Sequence, residues 1–176
     1  MSKAYVLLSN ESGTEDSVLS YLNHIESVKE AHGTFGSYDI LTKLESSDEK
    51  KIQDDISHRI RKIKKISSTL TLLVNEKQSF KKITKSEKEI LDKYMAQAFV
   101  IIHCSRSYES SILQELEKIP EIVEVDNLIG SFEIICKLAA PTYNDISDII
   151  SKKIRKTPNI KSTITLNVID NQGFSK

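Results

Sequence analysis

The chain has 176 residues, of which 25 are basic and 25 acidic, so it carries no net charge at pH 7. This balance lacks the basic excess of most nucleic-acid-binding proteins, and DNA is therefore not the expected ligand. The sequence holds no apolar run near the ~18 residues of a membrane span, and it starts with a strand pattern instead of a signal peptide. We therefore expect a cytoplasmic protein without a membrane partner.

The sequence consists mainly of two copies of one unit. Residues 4–74 align without a gap with residues 98–168. Gly36-Ser37-Tyr38-Asp39-Ile40 recurs as Gly130-Ser131-Phe132-Glu133-Ile134, which predicts one fold for both copies. Because a unit this small has a thin core of its own, we expect the copies to pack together, within one chain or between chains. A homo-oligomer is the default expectation.

Each copy begins with a strand and a helix. In the first copy, Tyr5-Val6-Leu7-Leu8 is a short apolar run typical of a central strand. Apolar residues then follow at helical spacing over 18–25, and Thr14, followed by two acids, is a suitable start for this helix. The second copy repeats both features.

A hairpin, a second helix and a last strand complete the copy. A strand pattern over 28–35 meets a turn at Gly36-Ser37, and the chain is predicted to return as a strand over 38–44. Asp48 is a candidate N-cap for a helix with an isoleucine every third or fourth residue, which ends in basic residues. The final strand is predicted over 66–74, where apolar residues alternate with threonines.

The order βαββαβ predicts an α+β fold, with tandem ferredoxin-like domains of the dimeric α/β-barrel type. Such a sheet carries both helices on one face, so its other apolar face must be covered. We expect domains at 1–76 and 98–170. Between them, residues 77–97 are predicted to form a helical linker, since Thr84 and Glu87 match a capping box.

The cysteines and histidines suggest neither a metal site nor a disulfide. Cys104 and Cys136 lack CxxC spacing and are predicted to be small buried residues. The four histidines show no HExxH spacing and no cluster of ligands. No cofactor is expected.

Each copy resembles the effector-binding domain of the Lrp/AsnC (feast/famine) transcription regulators. Three features carry the resemblance: the Gly-x-Tyr-Asp hairpin at 36–39, the helix end Ile60-Arg61-Lys62-Ile63, and Ser68-Thr69-Leu70-Thr71 at the start of the last strand. Members of this family usually carry a helix-turn-helix before the domain. This chain resembles the stand-alone effector domains, here in tandem, which are found mostly in archaea and bacteria. The resemblance therefore implies a sensing or modulating protein, without direct sequence-specific DNA binding.

The resemblance places an effector site in each copy. The implied ligand-binding residues are Gly36, Tyr38, Asp39, Thr69 and Thr71 in the first copy, and Gly130, Phe132, Glu133, Thr163 and Thr165 in the second. This set suits a free amino acid, because a carboxylate accepts hydrogen bonds from an ammonium, while turn N–H groups and threonine hydroxyls donate to a carboxylate. The copies differ at Asp39/Glu133 and Tyr38/Phe132. Two different ligands, or one binding and one structural copy, are both open.

Four functions compete. The leading one is a non-catalytic regulator that binds a small effector, an amino acid or similar metabolite. The second is an adaptor that co-assembles with helix-turn-helix members of the family and so modulates transcription. An enzyme is disfavoured, since no set of nucleophile, base and orienting group recurs in both copies. Non-specific nucleic-acid association through the basic helix ends is the weakest.

Overall fold

The computed structural model describes residues 1–82 and 84–176, without the side chain of Lys85. Two compact units are present. The first consists of residues 1–76 together with 169–176, and the second of residues 77–168. Among the described residues no helix is long and apolar enough to cross a membrane.

The first copy has the predicted order of elements. They are β1 (Ser2–Asn10), α1 (Glu15–Asn23), β2 (Val28–Phe35), β3 (Ile40–Ser46), α2 (Glu49–Asp54) with a π-helix (Asp55–Ile60), and β4 (Ile66–Lys81). Asp48 accepts a hydrogen bond from the backbone N–H of Lys50 at 3.0 Å, which confirms the predicted N-cap. Thr14 also occupies an N-cap position, but its side chain does not cap the helix.

A helix precedes the second copy, which repeats the same order. The elements are α3 (Lys85–Tyr94), β5 (Ala96–Cys104), a 3₁₀ turn (Arg106–Tyr108), α4 (Glu109–Glu117), β6 (Ile122–Ile129), β7 (Ile134–Ala140), α5 (Tyr143–Ile149) with a π-helix (Ile150–Ile154), and β8 (Ile160–Ser175). The capping box at the start of α3 is confirmed: Thr84 N donates to Glu87 Oε2 at 2.6 Å, and Glu87 N donates to Thr84 Oγ1 at 3.3 Å.

The strand pairing confirms the predicted βαββαβ units. In the first copy β1 lies between β3 and β4, and β2 pairs with β3, all antiparallel. In the second copy β5 lies between β7 and β8, and β6 pairs with β7. This strand order is that of an α+β, ferredoxin-like sheet, in which the first strand is central.

Both faces of each sheet are buried. On the face toward the helices, Val6 and Ile40 share a core with Leu22 of α1 and Ile56 of the π-helix. The second copy has the equivalent core around its own helices. Side chains of the opposite face, such as Tyr5, are also buried. The expectation that this face is covered is therefore confirmed.

The two longest strands each contribute to both units. The last residues of β8 belong to the first unit and lie beside β2, where Lys176 N donates to Lys29 O at 2.9 Å. The last residues of β4 belong to the second unit and lie beside β6, and Lys82 N donates to Val123 O at 2.9 Å. Residues 77–81 of β4 thus belong to the second unit, although β4 begins in the first. Residues 169–175 of β8 belong to the first unit, although β8 begins in the second. We call these two pieces the exchanged segments.

The side chains of the two exchanged segments make equivalent contacts. Phe174 packs against the core of the first unit and Phe80 against that of the second. Lys176 Nζ donates to Ile25 O at 2.9 Å, and Lys82 Nζ donates to the carbonyl of Ile119 at 2.8 Å. The internal repeat therefore extends beyond residues 74 and 168, where the sequence alignment ended.

The structure also departs from the predicted elements. Strand β3 begins at Ile40 instead of residue 38, so Tyr38 and Asp39 lie in the turn. The second helix of each copy continues as a π-helix, with Arg61 N donating to Ile56 O at 3.0 Å and Arg155 N to Ile150 O at 2.8 Å. A π-helix has more residues per turn than an α-helix, so isoleucines spaced by four stay on the buried face.

Thr42, on β3, provides a stability prediction. Its side chain is fully buried, and Oγ1 has no hydrogen-bond partner within the described residues. A desolvated hydroxyl without a partner costs about 1–3 kcal/mol. We expect Thr42→Val to raise the free energy of unfolding by about 1 kcal/mol, measured by urea denaturation. Thr69→Val, at a partly exposed position of β4, is the control with a change below about 0.5 kcal/mol. A destabilised Thr42→Val variant would mean that the hydroxyl has a partner, such as a buried water.

Candidate functional site

The two hairpin turns require their glycines. Gly36 has φ 141° and Gly130 has φ 123°, a backbone conformation that side chains with a Cβ rarely adopt. A Cβ at Gly130 would meet no atom within 4 Å, so the backbone angle and not crowding selects glycine there. The positive φ therefore accounts for the glycine in both turns.

Asp39 connects the hairpin to the end of β1. Its Oδ2 accepts a hydrogen bond from Asn10 N at 3.0 Å, while Asp39 N donates to Leu8 O at 2.8 Å. On the other side of the turn, Thr34 N donates to Asp39 O at 2.8 Å. The carboxylate thus has a structural role, and its Oδ1 makes no hydrogen bond within the described residues.

Glu133 makes the equivalent hydrogen bond in the second copy and also contacts the side chain of His103. Its Oε2 accepts from Cys104 N at 2.9 Å and lies 2.9 Å from His103 Nδ1. The His103 ring also packs edge to face against Phe132, with ring centroids 6.4 Å apart. The imidazole is therefore fixed on two sides, although its side chain remains 40% exposed. Sequence reasoning missed His103, since no local motif joins it to Glu133.

Arg106 stabilises the turn of the second copy from outside. Its Nη2 donates to the carbonyl of Gly130 at 2.9 Å, and its Nη1 donates to the carbonyl of Leu128 at 3.2 Å. Nη1 also lies 2.7 Å from Glu109 Oε1. Arg106 was not among the predicted site residues either. It brings a cation to the glycine turn.

The threonines lie across the first strand from the hairpin. Thr69 and Thr71 pair with Leu8 and Val6 of β1, whose other neighbour is β3. With strands about 4.8 Å apart, the threonines and Asp39 are separated by roughly two strand spacings. Thr71 Oγ1 is buried without a hydrogen-bond partner in the described part of the chain.

The second copy places its threonines in the same way. Thr163 and Thr165 pair with Ile102 and Val100 of β5. Thr163 Oγ1 accepts a hydrogen bond from Arg155 Nε at 3.2 Å. The structure therefore brings the glycine, the aromatic residue and the acid of each copy together, and sets the threonines on the far side of the first strand.

A second polar cluster is buried on β2 and β3, on the sheet face away from the helices. His32 Nε2 lies 2.7 Å from Glu30 Oε1, and Lys43 Nζ lies 3.9 Å from Glu30 Oε2. Lys43 Nζ is also 3.5 Å from Glu45 Oε1. Glu30 is 0% and Lys43 3% exposed, and buried charges persist in proteins only when they are paired. The equivalent residues of the second copy, Glu124 and Lys137, are buried as well.

The two cysteines are free, buried thiols, as predicted. Burial raises the pKa of Cys136 to about 12. Burial, followed by the charges of Glu133 and Glu109, raises the pKa of Cys104 to about 11. Since the thiolate is the nucleophile, neither cysteine is poised for chemistry near neutral pH.

The raised pKa values of these two thiols predict that the free energy of unfolding depends on pH. Cysteine in an unfolded chain titrates near pH 8.5, so above about pH 9 the unfolded state loses thiol protons that the folded state keeps. We expect the free energy of unfolding to fall as the pH rises from about 9 to 11, and a thiol reagent at pH 8 to label only the denatured chain. Cys136→Ala should flatten the pH dependence. Rapid labelling of the native chain at pH 8 would contradict the assignment.

Within the described residues, no group of three or more His, Cys, Asp or Glu side chains is arranged to hold a metal ion.

The repeated unit matches a known protein family. The sequence model of the Lrp/AsnC ligand binding domain matches residues 3–82 and 97–172. A search of curated proteins found no match. A hypothetical protein from Pyrococcus horikoshii of known structure is 32% identical, with a TM-score of 0.41 over 43% of this chain and 90% of that one. The AsnC protein of E. coli is 26% identical, with a TM-score of 0.44 over 51% of this chain and 60% of its own.

The structure of the siroheme decarboxylase NirDL matches nearly the whole length of this chain. Its TM-score is 0.70 over 99% of this chain and 72% of its own, at 10% identity. An identity this low shows a shared fold and nothing about activity. The family model, in contrast, matches most of the chain in two consecutive regions. The chain therefore belongs to the Lrp/AsnC ligand binding domain family and carries two tandem copies of that domain.

Proposed function

We propose that this chain is a non-catalytic regulator whose two domains, 1–76 and 98–170, each bind a small effector at the hairpin, in the first instance an amino acid. Membership of the Lrp/AsnC ligand binding domain family supports a regulatory, effector-binding role. The observation that carries the choice of site is the acid in each hairpin turn, Asp39 or Glu133, which accepts a hydrogen bond from a backbone N–H at the end of the first strand of its copy.

This geometry suits the recognition of an amino acid. Asp39 Oδ2 is fixed on Asn10 N, which leaves Oδ1 to accept from a ligand ammonium. The exposed glycine turn offers backbone N–H groups to a ligand carboxylate. Tyr38 and Phe132 would contact the side chain of the ligand. Thr69, Thr71, Thr163 and Thr165 would act from the neighbouring strand.

A calorimetric screen of the full chain against the free amino acids and common metabolites tests this proposal. A ligand at 100 times its dissociation constant adds about 2.7 kcal/mol to the free energy of unfolding, which thermal unfolding detects easily. Asp39→Asn and Glu133→Gln are the informative variants, because the amide oxygen still accepts from the backbone N–H while the charge is removed.

We expect these two variants to keep their fold and to lose the ligand. Asp148→Asn, an exposed acid outside the hairpins, is the matched control. The ligand should be recovered unchanged after incubation, since the role is non-catalytic. Failure of all amino acids and metabolites to bind would overturn the proposal.

The alternative proposal is an adaptor that co-assembles with helix-turn-helix members of the family. Phe35 is 64% and Ile129 57% exposed, at equivalent positions beside the two glycine turns, and exposed apolar residues of this size favour association. Co-purification with a helix-turn-helix partner would support the adaptor.

Self-association of the chain, measured by light scattering with and without ligand, tests the proposed homo-oligomer.

A further inference from the structure

Helix α3 forms one wall of a groove on the second unit. The groove lies between this helix, the start of β6 and the end of β7, and its volume is about 410 Å³. Its apolar lining includes Ile90, Leu91, Met95, Val123, Ala139 and Ala140. Small-molecule sites in proteins typically have volumes of about 300–1,000 Å³, so this groove is large enough to hold a ligand.

The strand side of this groove is apolar in the second copy and polar in the first. Five of the residues that line it have charged or hydroxyl side chains at the equivalent positions of the first copy. The pairs are Pro120 and Glu26, Val123 and Lys29, Ala139 and Glu45, Ala140 and Ser46, and Pro141 and Ser47. The internal repeat therefore shows that the fold itself does not require an apolar surface at this place.

An acid of α3 replaces one of the charges that the second copy lacks. In the first copy, Glu45 Oε1 lies 3.5 Å from Lys43 Nζ. The second copy keeps this lysine as Lys137 and has Ala139 in place of Glu45. Asp92 Oδ1 of α3 lies 3.9 Å from Lys137 Nζ and supplies the acid instead. The helix is therefore part of the local charge balance of the sheet.

Helix α3 is held against the sheet but does not fill the groove. Gln97 Nε2, at the start of β5, donates to Leu91 O at 3.3 Å and to Asp92 Oδ1 at 3.0 Å. Ile90 lines the groove and nevertheless remains 58% exposed. The packing of α3 thus accounts for part of the apolar surface, and an open volume with apolar walls remains, as is typical of ligand-binding grooves.

The two charged residues among the described ones that line this groove both have partners. Glu121 Oε1 and Oε2 lie 3.1 and 3.2 Å from Lys153 Nζ. Glu87 Oε2 accepts hydrogen bonds from Thr84 N at 2.6 Å and from Thr84 Oγ1 at 2.9 Å. A charged ligand would leave water without gaining a dedicated partner, which is costly. The groove therefore favours an uncharged ligand.

We propose that this groove is a further ligand site, which binds one small, uncharged apolar molecule with an aromatic or aliphatic body. The site lies outside the two hairpins, so this inference does not rest on the proposed function. Ten residues line the groove, whereas a stable protein interface takes about 20–30 residues from each partner. A small molecule therefore fits this surface better than a second copy of the chain.

Fluorescence titration of the full chain with N-phenyl-1-naphthylamine, an uncharged apolar probe whose emission rises when it leaves water, tests the proposal. We expect one probe to bind per chain. Indole should displace the probe, whereas L-tryptophan, which adds an ammonium and a carboxylate to the same ring, should be about tenfold weaker. Equal displacement by indole and L-tryptophan would overturn the assignment of an uncharged ligand.

Two variants locate the bound probe. Ile90→Gln removes apolar area from the helix wall at an exposed position, so the fold is kept, and it should weaken probe binding by about fivefold. Val123→Lys with Ala139→Glu introduces the residues of the first copy and should weaken binding by about tenfold or more. Urea denaturation without probe shows whether each variant is folded. Because Val123 and Ala139 are buried, Ile90→Gln decides the question if the double variant does not fold.

The matched control makes the opposite change in the first copy. Lys29→Val with Glu45→Ala creates the same two apolar residues without α3, which belongs to the second unit. The stoichiometry should stay at one probe per chain. A rise to two probes per chain, or unchanged binding to Ile90→Gln, would overturn the assignment of the groove.

Self-association through the groove is the competing outcome. If the wild-type chain binds no probe and Ile90→Gln lowers the mass measured by light scattering, a second copy occupies the groove and the proposal is overturned. If the wild-type chain binds no probe and the mass stays the same, the proposal fails as well. In both cases the proposed effector sites at the hairpins are unaffected, because the probe reports on the groove alone.

Discussion

Glu30→Gln is expected to lower the free energy of unfolding by about 3 kcal/mol, because the buried Lys43 then loses the charge of Glu30 and keeps the partly exposed Glu45 beside it. Glu30 is fully buried and contacts both His32 and Lys43. Glutamine keeps the shape of the side chain, so the loss reflects charge and not volume. Urea denaturation at pH 7 measures the effect as a lower midpoint with an unchanged slope.

Glu45→Gln is the matched control for this experiment. Glu45 also contacts Lys43, but its side chain is 31% exposed, so water replaces the lost charge at a cost below about 1 kcal/mol. A double variant, Glu30→Gln with Lys43→Met, should be less destabilised than the sum of the two single variants. If Glu30→Gln and Glu45→Gln lowered the free energy of unfolding equally, the buried ion pair would contribute no more to stability than the partly exposed one.

Gly173→Ala is expected to destabilise the first unit by about 3 kcal/mol, near the upper end of the usual cost of overpacking. A Cβ at Gly173 would lie 2.5 Å from the carbonyl oxygen of Ala31 and 3.0 Å from His32 Cα. Both are backbone atoms of β2, so relief requires the end of β8 to move away from β2. Thermal unfolding measures the loss as a lower Tm.

Gly33→Ala is the informative comparison. A Cβ at Gly33 would lie only 2.1 Å from Gln172 Oε1, a closer approach than at Gly173. That atom is the end of a flexible side chain, which can turn to another rotamer at a cost of about 1 kcal/mol. We therefore expect Gly33→Ala to be tolerated. A reversed order of the two variants would contradict the placement of the end of β8 against β2.

The sequence predicted best those elements that depend on a local pattern, such as the extent of a strand or the cap of a helix. Strand β2 runs from Val28 to Phe35 as predicted, and the Asp48 cap and the Thr84–Glu87 box lie where the local pattern put them. Each of these features depends on neighbours within a few residues, and the internal repeat shows most of them twice. The βαββαβ order follows from the same local signals.

Features that depend on distant partners were not predictable from the local pattern. The polar stretch Asn75–Gln78 shows no alternation, yet β4 continues through it because the end of β4 pairs with β6. Charged residues in a strand usually indicate a face in water, so Glu30 and Lys43 gave no sign of burial. Nor did any local motif join His103 to Glu133, since thirty residues and a helix separate them.

The exchanged ends of β4 and β8 determine the order in which the two units can be completed. The second unit receives its exchanged segment early, and Lys82 and Ile119 are only 37 residues apart. The first unit must wait for residues 169–176, because Lys176 meets Ile25 across 151 residues. Long-range pairing of this kind slows folding. During synthesis on the ribosome, the half of the protein that is made first is therefore the half that is finished last, and β2 keeps an unpaired edge until then.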